Sequence, residues 1–304
     1  MGNLTNPDLI HYLACPNCNN ELFVVERCLK CISCKKEFEI KDGIPLLYPD
    51  NINLEHLQTE ESLAKVIKMK PLNENEKLNK IQWEKSKQEF WGMVKKNVKP
   101  PLKSIINLGC GYDSSFKYLE KQGYLFVNFD LVFEMLHFLQ RDHGAISCIA
   151  GDINNLPFKQ HSFDYVISID VIHHESKKLT SLLRSFGNLL KPEGALFLED
   201  PNAWGIFQCM RSIFIPRLIY RTMRSAFFNV RQTPHRPADY EFPTNVWHVI
   251  RLLEKLGFGN IKVYPNNAYP CISQTKYKIY TSLHKSEWFK KYHNYHYMIS
   301  AKKP

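Results

Sequence analysis

The sequence predicts an α/β fold: a doubly wound, mostly parallel seven-stranded sheet, preceded by a small cysteine-rich module. Three observations carry that expectation. From Lys103 onward the chain alternates strand, turn and helix. One of those turns, within IINLGCGYD at 105–113, is glycine-rich and follows the first strand of the series. Residues 15–34, CPNCNNELFVVERCLKCISC, space their cysteines as C-x2-C pairs.

The composition allows such a fold. The chain has 304 residues, 44% hydrophobic and 13% aromatic, enough for one large domain and something smaller. No apolar run is long enough to span a bilayer, and MGNLTNPDLI lacks the basic start and apolar stretch of a signal peptide. Asn6 stands where N-myristoylation wants Ser or Thr. Five of nine cysteines crowd into 15–34, which points to metal in a reduced compartment, so cytoplasm is the expected location. Net charge is +10, unevenly placed: residues 201–304 hold sixteen Lys or Arg against four acids, whereas residues 1–50 hold five against seven. An acidic ligand or surface is therefore expected to meet the C-terminal third.

The division expected is 1–50, a metal module; 51–102, a helical linker or lid; and 103–304, the α/β domain with an insertion at 201–243. A C-x2-C turn aims two thiolates at one ion, and two such turns make a closed tetrahedral zinc site, structural rather than catalytic. Cys15 and Cys18 form the first pair. Cys28, Cys31 and Cys34 are spaced by threes, so spacing alone leaves the second pair open. About 50 residues make only a marginal core, and zinc would supply on the order of 10 kcal/mol of folding free energy. In the polar linker, Leu78, Ile81, Phe90, Trp91 and Val94 are the apolar positions, and Pro100-Pro101 closes it.

In the α/β domain, strands are expected at 104–108, 125–130, 146–150, 164–168, 195–199, 261–264 and 295–301. Helices are expected at 132–140, 179–190 and 246–256. Ligands of such sheets sit at the C-terminal strand ends. Asp113 replaces the third glycine of a dinucleotide loop and would repel a pyrophosphate, whereas the sulfonium and ammonium of S-adenosylmethionine (SAM) would welcome it. Asp130 ends the second strand, where it can accept from ribose hydroxyls. Asp152 follows the third strand, where it can meet the adenine amino group. Three acids at successive strand ends make one ligand site the economical reading.

The runs INLGCGYDSS, VNFDLVFEML, GDINNLPFKQHSFDYVISIDVIHHE and LLKPEGALFLEDPN resemble the motif series of a class I SAM-dependent methyltransferase. NVWHVIRLLEKLGFGNIKVYP and HYMISAKKP resemble its last helix and final strand pair. The resemblance implies that Gly109, Cys110, Gly111, Asp130, Leu131, Asp152, Ile153, Ser168 and Ile169 line SAM; the charge argument adds Asp113, facing its cationic end. Asn107 stands where the family usually has an acid. The cysteine segment, with Phe38, Ile40, Asp42, Gly43, Ile44 and Pro45 behind it, resembles the zinc-ribbon module associated with methyltransferases. That likeness implies Cys31 and Cys34 as the second pair and leaves Cys28 spare.

Two acceptor classes are disfavoured: no Asp/Asn-Pro-Pro-aromatic run follows the fourth strand, and neither Cys110 nor Cys148 is placed as a cytosine-attacking nucleophile. His173 and His174 stand beside the expected transfer site as candidate bases, although a helix-start role is equally open and methyl transfer can proceed by positioning alone. Residues 201–238 carry six Arg and no Lys or acid. There Arg211, Arg217, Arg221 and Arg224 interrupt Ile206, Phe207, Met210, Phe214, Leu218, Ile219, Met223 and Phe227, and Pro216 splits the run. That pattern suits a lipid-linked or phosphate-bearing anionic acceptor, with membrane-surface contact through 205–231, or a plain cap helix with its arginines in water. A small-molecule or lipid/phosphate-linked acceptor is the preferred expectation. An RNA methyltransferase and a non-catalytic SAM-fold interaction protein are the alternatives.

Overall fold

The computed structural model describes residues 4–69, 74–99, 104–120, 123–203, 244–268 and 282–303. The arginine-rich stretch at 204–243, Pro100-Pro101 and the side chain of Leu78 lie outside the described residues.

Four short strands open the chain: β1 (Leu22–Val25), β2 (Cys28–Cys31), β3 (Glu37–Lys41) and β4 (Ile44–Leu47). Two helices follow, α1 (Leu54–Met69) and α2 (Glu74–Asn97). The alternating part then runs β5 (Ser104–Leu108), a short α3 (Lys117–Glu120), β6 (Leu125–Asp130), α4 (Phe133–His143), β7 (Cys148–Gly151), β8 (Phe163–Ile169), α5 (Leu179–Leu189) and β9 (Leu190–Pro201). Beyond the arginine-rich stretch come α6 (Val246–Lys255), β10 (Gly259–Tyr264), α7 (Glu287–Tyr292) and β11 (His296–Lys302). The expected strands are all present. β9 starts five residues earlier than expected, carried through an irregular stretch in which Glu193 takes a left-handed φ of 63°.

These strands form one sheet of eleven, in the order β1-β2-β3-β4-β7-β6-β5-β8-β9-β11-β10. The run from β7 to β9 is parallel, and β11 closes it antiparallel to β9 and β10. β5 is buried along its whole length, as a central parallel strand must be. One sheet face packs Ile106, Leu108, Val166 and Leu196 under α5 and α6. The other packs Ile105, Phe126, Ile167 and Phe197 under α2 and α4. Phe90, Trp91 and Val94 of α2 are buried there, whereas Ile81 is exposed. No helix among the described residues is long and apolar enough to cross a membrane.

The cysteine-rich module is continuous with this sheet. β4 pairs in parallel with β7, Leu46 opposite Ala150 and Leu47 opposite Gly151. Upstream, Leu13 bridges Phe158, and Tyr12, Phe158, Phe163 and Phe129 form an aromatic chain with ring centroids 5.4–5.5 Å apart. Next to Phe163 on β8, Asp164 clamps β5 to β9. It accepts from the Ser104 N–H at 3.0 Å, the Ser104 hydroxyl at 2.9 Å and Lys191 Nζ at 3.0 Å. Burial pushes its carboxyl up, but these donors outweigh that and hold it below the usual range.

Two expectations follow. A Cβ on Gly151 would come within 2.9 Å of the Phe129 ring and 3.0 Å of the Leu47 carbonyl, so Gly151→Ala should cost about 1–3 kcal/mol in urea unfolding; an unmoved midpoint would show that β4 and β7 tolerate separation. Asp164→Asn should cost about 1–2 kcal/mol at neutral pH. A depressed carboxylate stabilises above its ordinary pKa and loses that contribution as pH falls through the folded value. The gap between wild type and variant should therefore close on acidification.

Candidate functional site

The C-terminal ends of β5, β6, β7 and β8 lie side by side, and the residues expected to line a cofactor sit on them. Gly109 and Gly111 both adopt left-handed φ, +70° and +53°. At Gly109 a side chain has no room, since a Cβ would lie 2.4 Å from Val171 Cγ2 in the turn after β8. The Gly109 and Cys110 N–H groups both donate to the Phe129 carbonyl, so the loop after β5 is folded back on the end of β6. Asp130 completes that link: it accepts from Gly111 N at 2.8 Å through Oδ2 and from Val132 N at 2.9 Å through Oδ1. Burial raises its pKa, with the Val132 and Gly111 amides working in the opposite direction. Each oxygen keeps a further lone pair for a hydroxyl donor.

Asp152 caps the turn after β7, its Oδ1 accepting from the Asn154 N–H and side-chain amide. Ile153 follows it, half-buried. Ser168 and Ile169 end β8, both buried, and the Ser168 hydroxyl has no hydrogen-bond partner. Asn107 is fully buried with both side-chain amide atoms unpartnered, as is Asn128 beside it in the β5–β6 register. Leu131 presents its carbonyl to Tyr48, whose hydroxyl reaches over from the end of β4 at 2.8 Å. Unsatisfied buried polar groups at strand ends, beside a cradle that admits no Cβ, fit a polar ligand at this edge.

Asp113 has a different role from the one expected. Its Oδ1 accepts from the Ser115 N–H at 3.1 Å and hydroxyl at 2.6 Å, capping the helical turn that follows. Its Oδ2 accepts from Trp91 Nε1 at 3.0 Å and lies 3.8 Å from Lys87 Nζ. With both oxygens engaged, this acid anchors α2 and is not aimed at a ligand cation. The same face of α2 carries Trp83 and Ser86. Trp83 donates to Asp170 at 3.2 Å and Ser86 to Glu199 at 2.7 Å. Residues 83, 86, 87, 90, 91 and 94 recur at helical spacing, so one face of α2 is tied down across the strand ends.

Beyond β8 the structure assembles a cluster that the sequence reading missed apart from its histidines. His173 is buried and its Nδ1 lies 3.0 Å from Asp200 Oδ1 and 4.0 Å from Asp170 Oδ1. The His174 ring lies 4.0 Å from that of His173, centroid to centroid, and His174 is the more exposed of the two. Burial lowers the His173 pKa, but Asp200 more than offsets this and the net shift is upward. Asp200 also accepts from the Thr244 hydroxyl, which bonds Tyr297. Next to it His296 Nδ1 meets Glu199 Oε1 at 2.7 Å. Burial lowers the His296 pKa, yet the carboxylate carries it up to about 9. The signal available in the sequence was the pair of acids in SIDVIHH and LEDPN, at the ends of two adjacent strands.

In the N-terminal module the two cysteine turns are built alike. The Cys15 N–H donates to the Asn20 carbonyl and the Cys31 N–H to the Lys36 carbonyl. Asn19 and Lys35, each just after the second cysteine of its pair, have φ of 58° and 61°. The four Sγ atoms of Cys15, Cys18, Cys31 and Cys34 lie within 4.8 Å of one another, with Cys15 to Cys34 at 3.6 Å and Cys18 to Cys31 at 3.4 Å. Thiolates at 2.3 Å from a tetrahedral ion would stand about 3.8 Å apart, so the quartet fits zinc. Cys28 is turned away and donates to the Val25 carbonyl.

Comparison with known proteins agrees with the fold. Residues 106–198 match the family model described as a methyltransferase domain. Over 105 residues the chain is 29% identical to phthiotriol/phenolphthiotriol dimycocerosates methyltransferase 1 of Mycobacterium ulcerans, taking in 32% of this chain and 37% of that enzyme. Among solved structures, a SAM-dependent methyltransferase of Thermotoga maritima superposes with a TM-score of 0.50 at 12% identity, covering 83% of this chain and 100% of that one. Another, from Archaeoglobus fulgidus, gives 0.48 at 15% identity, covering 72% and 94%. The Thermotoga likeness, at 12% identity, speaks to the fold alone.

The cysteine geometry yields a test. Cys31→Ser should lower the unfolding free energy by several kcal/mol, because one donor of four is lost and two strands lose their anchor. Cys28→Ser should change it by less than about 1 kcal/mol. Equal losses in thermal melts would show that the four-thiol grouping does not hold the module.

Proposed function

We propose that this chain, which carries a class I SAM-dependent methyltransferase domain, moves the SAM methyl group to a small-molecule or lipid/phosphate-linked acceptor. SAM when bound supplies an electrophilic methyl group on a sulfonium. The observation that carries the reading is the convergence of Gly109, Gly111, Asp130, Asp152 and Ser168 at neighbouring strand ends. In this reading the glycines admit the ligand's backbone-facing edge, and Asp130 offers its remaining lone pairs to ribose hydroxyls. Asp152 meets the adenine amino group. Asn107 and Ser168 gain partners they otherwise lack. The acceptor is presented beyond β8, under α2, next to the two histidines. His174, the more exposed, takes the acceptor's proton; His173, held by Asp200, positions it. Structural zinc in the cysteine quartet fixes the N-terminal module.

For the acceptor, the arginine-rich stretch at 204–243 supports an anionic or lipid-linked molecule, and a relative named for dimycocerosate acceptors points the same way. A second reading, RNA methylation, has the overall charge of +10 in its favour and the acidic N-terminal module against it.

Calorimetry with SAM is the direct test. A charge-assisted bond contributes about 1.5–3 kcal/mol, so Asp130→Ala should weaken SAM roughly ten- to a hundredfold. Gly109→Ala should abolish binding. Wild-type protein that ignores SAM would refute the reading. Retention on anionic liposomes favours the lipid-linked acceptor, and salt-sensitive RNA retention favours the second reading.

A further inference from the structure

We propose that Asp170, His173 and Asp200 form a divalent-cation site beyond β8, on the side where the acceptor is proposed to lie. The inference deepens the methyltransferase reading, since it assigns the acceptor an oxygen-bearing group able to enter the open positions of such an ion.

The geometry is the first argument. One ligand atom from each residue, the two Oδ1 atoms and His173 Nδ1, falls within 4.8 Å of the other two. The nitrogen lies 3.0 Å from one oxygen and 4.0 Å from the other. Ligands of an octahedral ion at about 2.1 Å stand about 3.0 Å apart when adjacent and about 4.2 Å when opposite.

The outer oxygens supply the second argument. Asp170 Oδ2 is held by Trp83 Nε1 at 3.2 Å, and Asp200 Oδ2 by the Thr244 hydroxyl at 2.8 Å. Each carboxylate therefore has one oxygen fixed from behind and turns the other toward His173. Metal carboxylates are oriented by outer hydrogen bonds of this kind. The donors come from elements far apart in sequence, α2 and the segment before α6.

Charge is the third argument. Glu199 is matched by His296 and Asp113 by Lys87. Asp170 and Asp200 have one imidazole, His173, within ion-pair distance, with His296 acting on both from farther off, and among the described residues neither is paired with a lysine or arginine. Asp200 is fully buried. Buried carboxylates need a counter-charge. A divalent ion with two aspartates and a neutral histidine closes that balance at zero. Mixed oxygen and nitrogen donors suit an ion of the Mn2+ type rather than the thiol-loving ion of the cysteine quartet. Three protein ligands leave further positions open, and the side chain of Asp170, 30% exposed, marks the accessible side.

The test is titration of the full, zinc-loaded chain with Mn2+, read by electron paramagnetic resonance and calorimetry. One saturable Mn2+ per chain is expected. Asp170→Asn, at the accessible position, should weaken it more than tenfold while melting as wild type does. Asp200→Asn should do the same, and Asp142→Asn, on α4 away from both sites, should leave Mn2+ binding unchanged. No saturable binding of Mn2+ or Mg2+ would overturn the proposal, leaving His173 and Asp200 as a simple hydrogen-bonded pair. Binding that survives both the Asp170 and Asp200 variants would overturn it too. A parallel SAM titration separates the two levels. SAM binding without Mn2+ binding defeats the site and spares the methyltransferase reading; Mn2+ binding without SAM binding does the reverse.

Discussion

Two backbone amides converging on one buried carboxylate hold the working edge of this molecule in shape. Asp130 takes its bonds from Gly111, in the loop after β5, and from Val132, at the start of α4. Without that link the middle of the glycine loop would lose its own anchor, leaving the bonds to the Phe129 carbonyl before it and the Asp113–Trp91 bond after it. With it, three consecutive amides, those of Gly109, Cys110 and Gly111, tie the loop after β5 to the end of β6. α2 reaches the same loop through Trp91 and Asp113, and the N-terminal module reaches the Leu131 carbonyl through Tyr48.

The polar ties of α2 explain why an outwardly unpromising helix is seated where it is. Its sequence is rich in Lys and Glu and has little amphipathic character. Packing of Phe90, Trp91, Met93 and Val94 supplies the apolar contact. The placement of its upper half rests on Trp83, Ser86 and Lys87, each meeting a carboxylate from a different strand end. Such bonds are individually modest and become consequential where their acceptors, Glu199 and Asp113, are buried.

Much of this was legible in the chain itself. Periodicity and turn residues located the strands of the α/β part, and they put the glycine loop, Asp130 and Asp152 at the neighbouring strand ends where the structure has them. The cysteine quartet was legible only with the help of a family likeness, since spacing alone admitted Cys28. Other features depend on partners distant in sequence. Asp200 meets His173 across 27 positions and Glu199 meets His296 across 97, and no local pattern encodes such meetings. Asp113 misled for a related reason: a loop acid reads as ligand-facing until Trp91 and Lys87 are seen to claim it. The pairing of β4 with β7 was equally hidden, because periodicity identifies a strand and says nothing of its neighbour.

That pairing gives the N-terminal module a duty that no reaction requires. A doubly wound sheet ending at β7 would present a row of unpaired amides and carbonyls along a buried, apolar strand, an invitation to self-association. β4 occupies that row, and the antiparallel strands β1 to β3 carry the sheet outward, with Glu37, Glu39 and Lys41 on the exposed face of β3. In the zinc-bound reading proposed above, the four thiols tie the turns of that extension together. The solubility of the folded domain is therefore coupled to the state of four sulfur atoms far from the ligand edge. Oxidative damage to them would first appear as aggregation, with the ligand edge itself still intact.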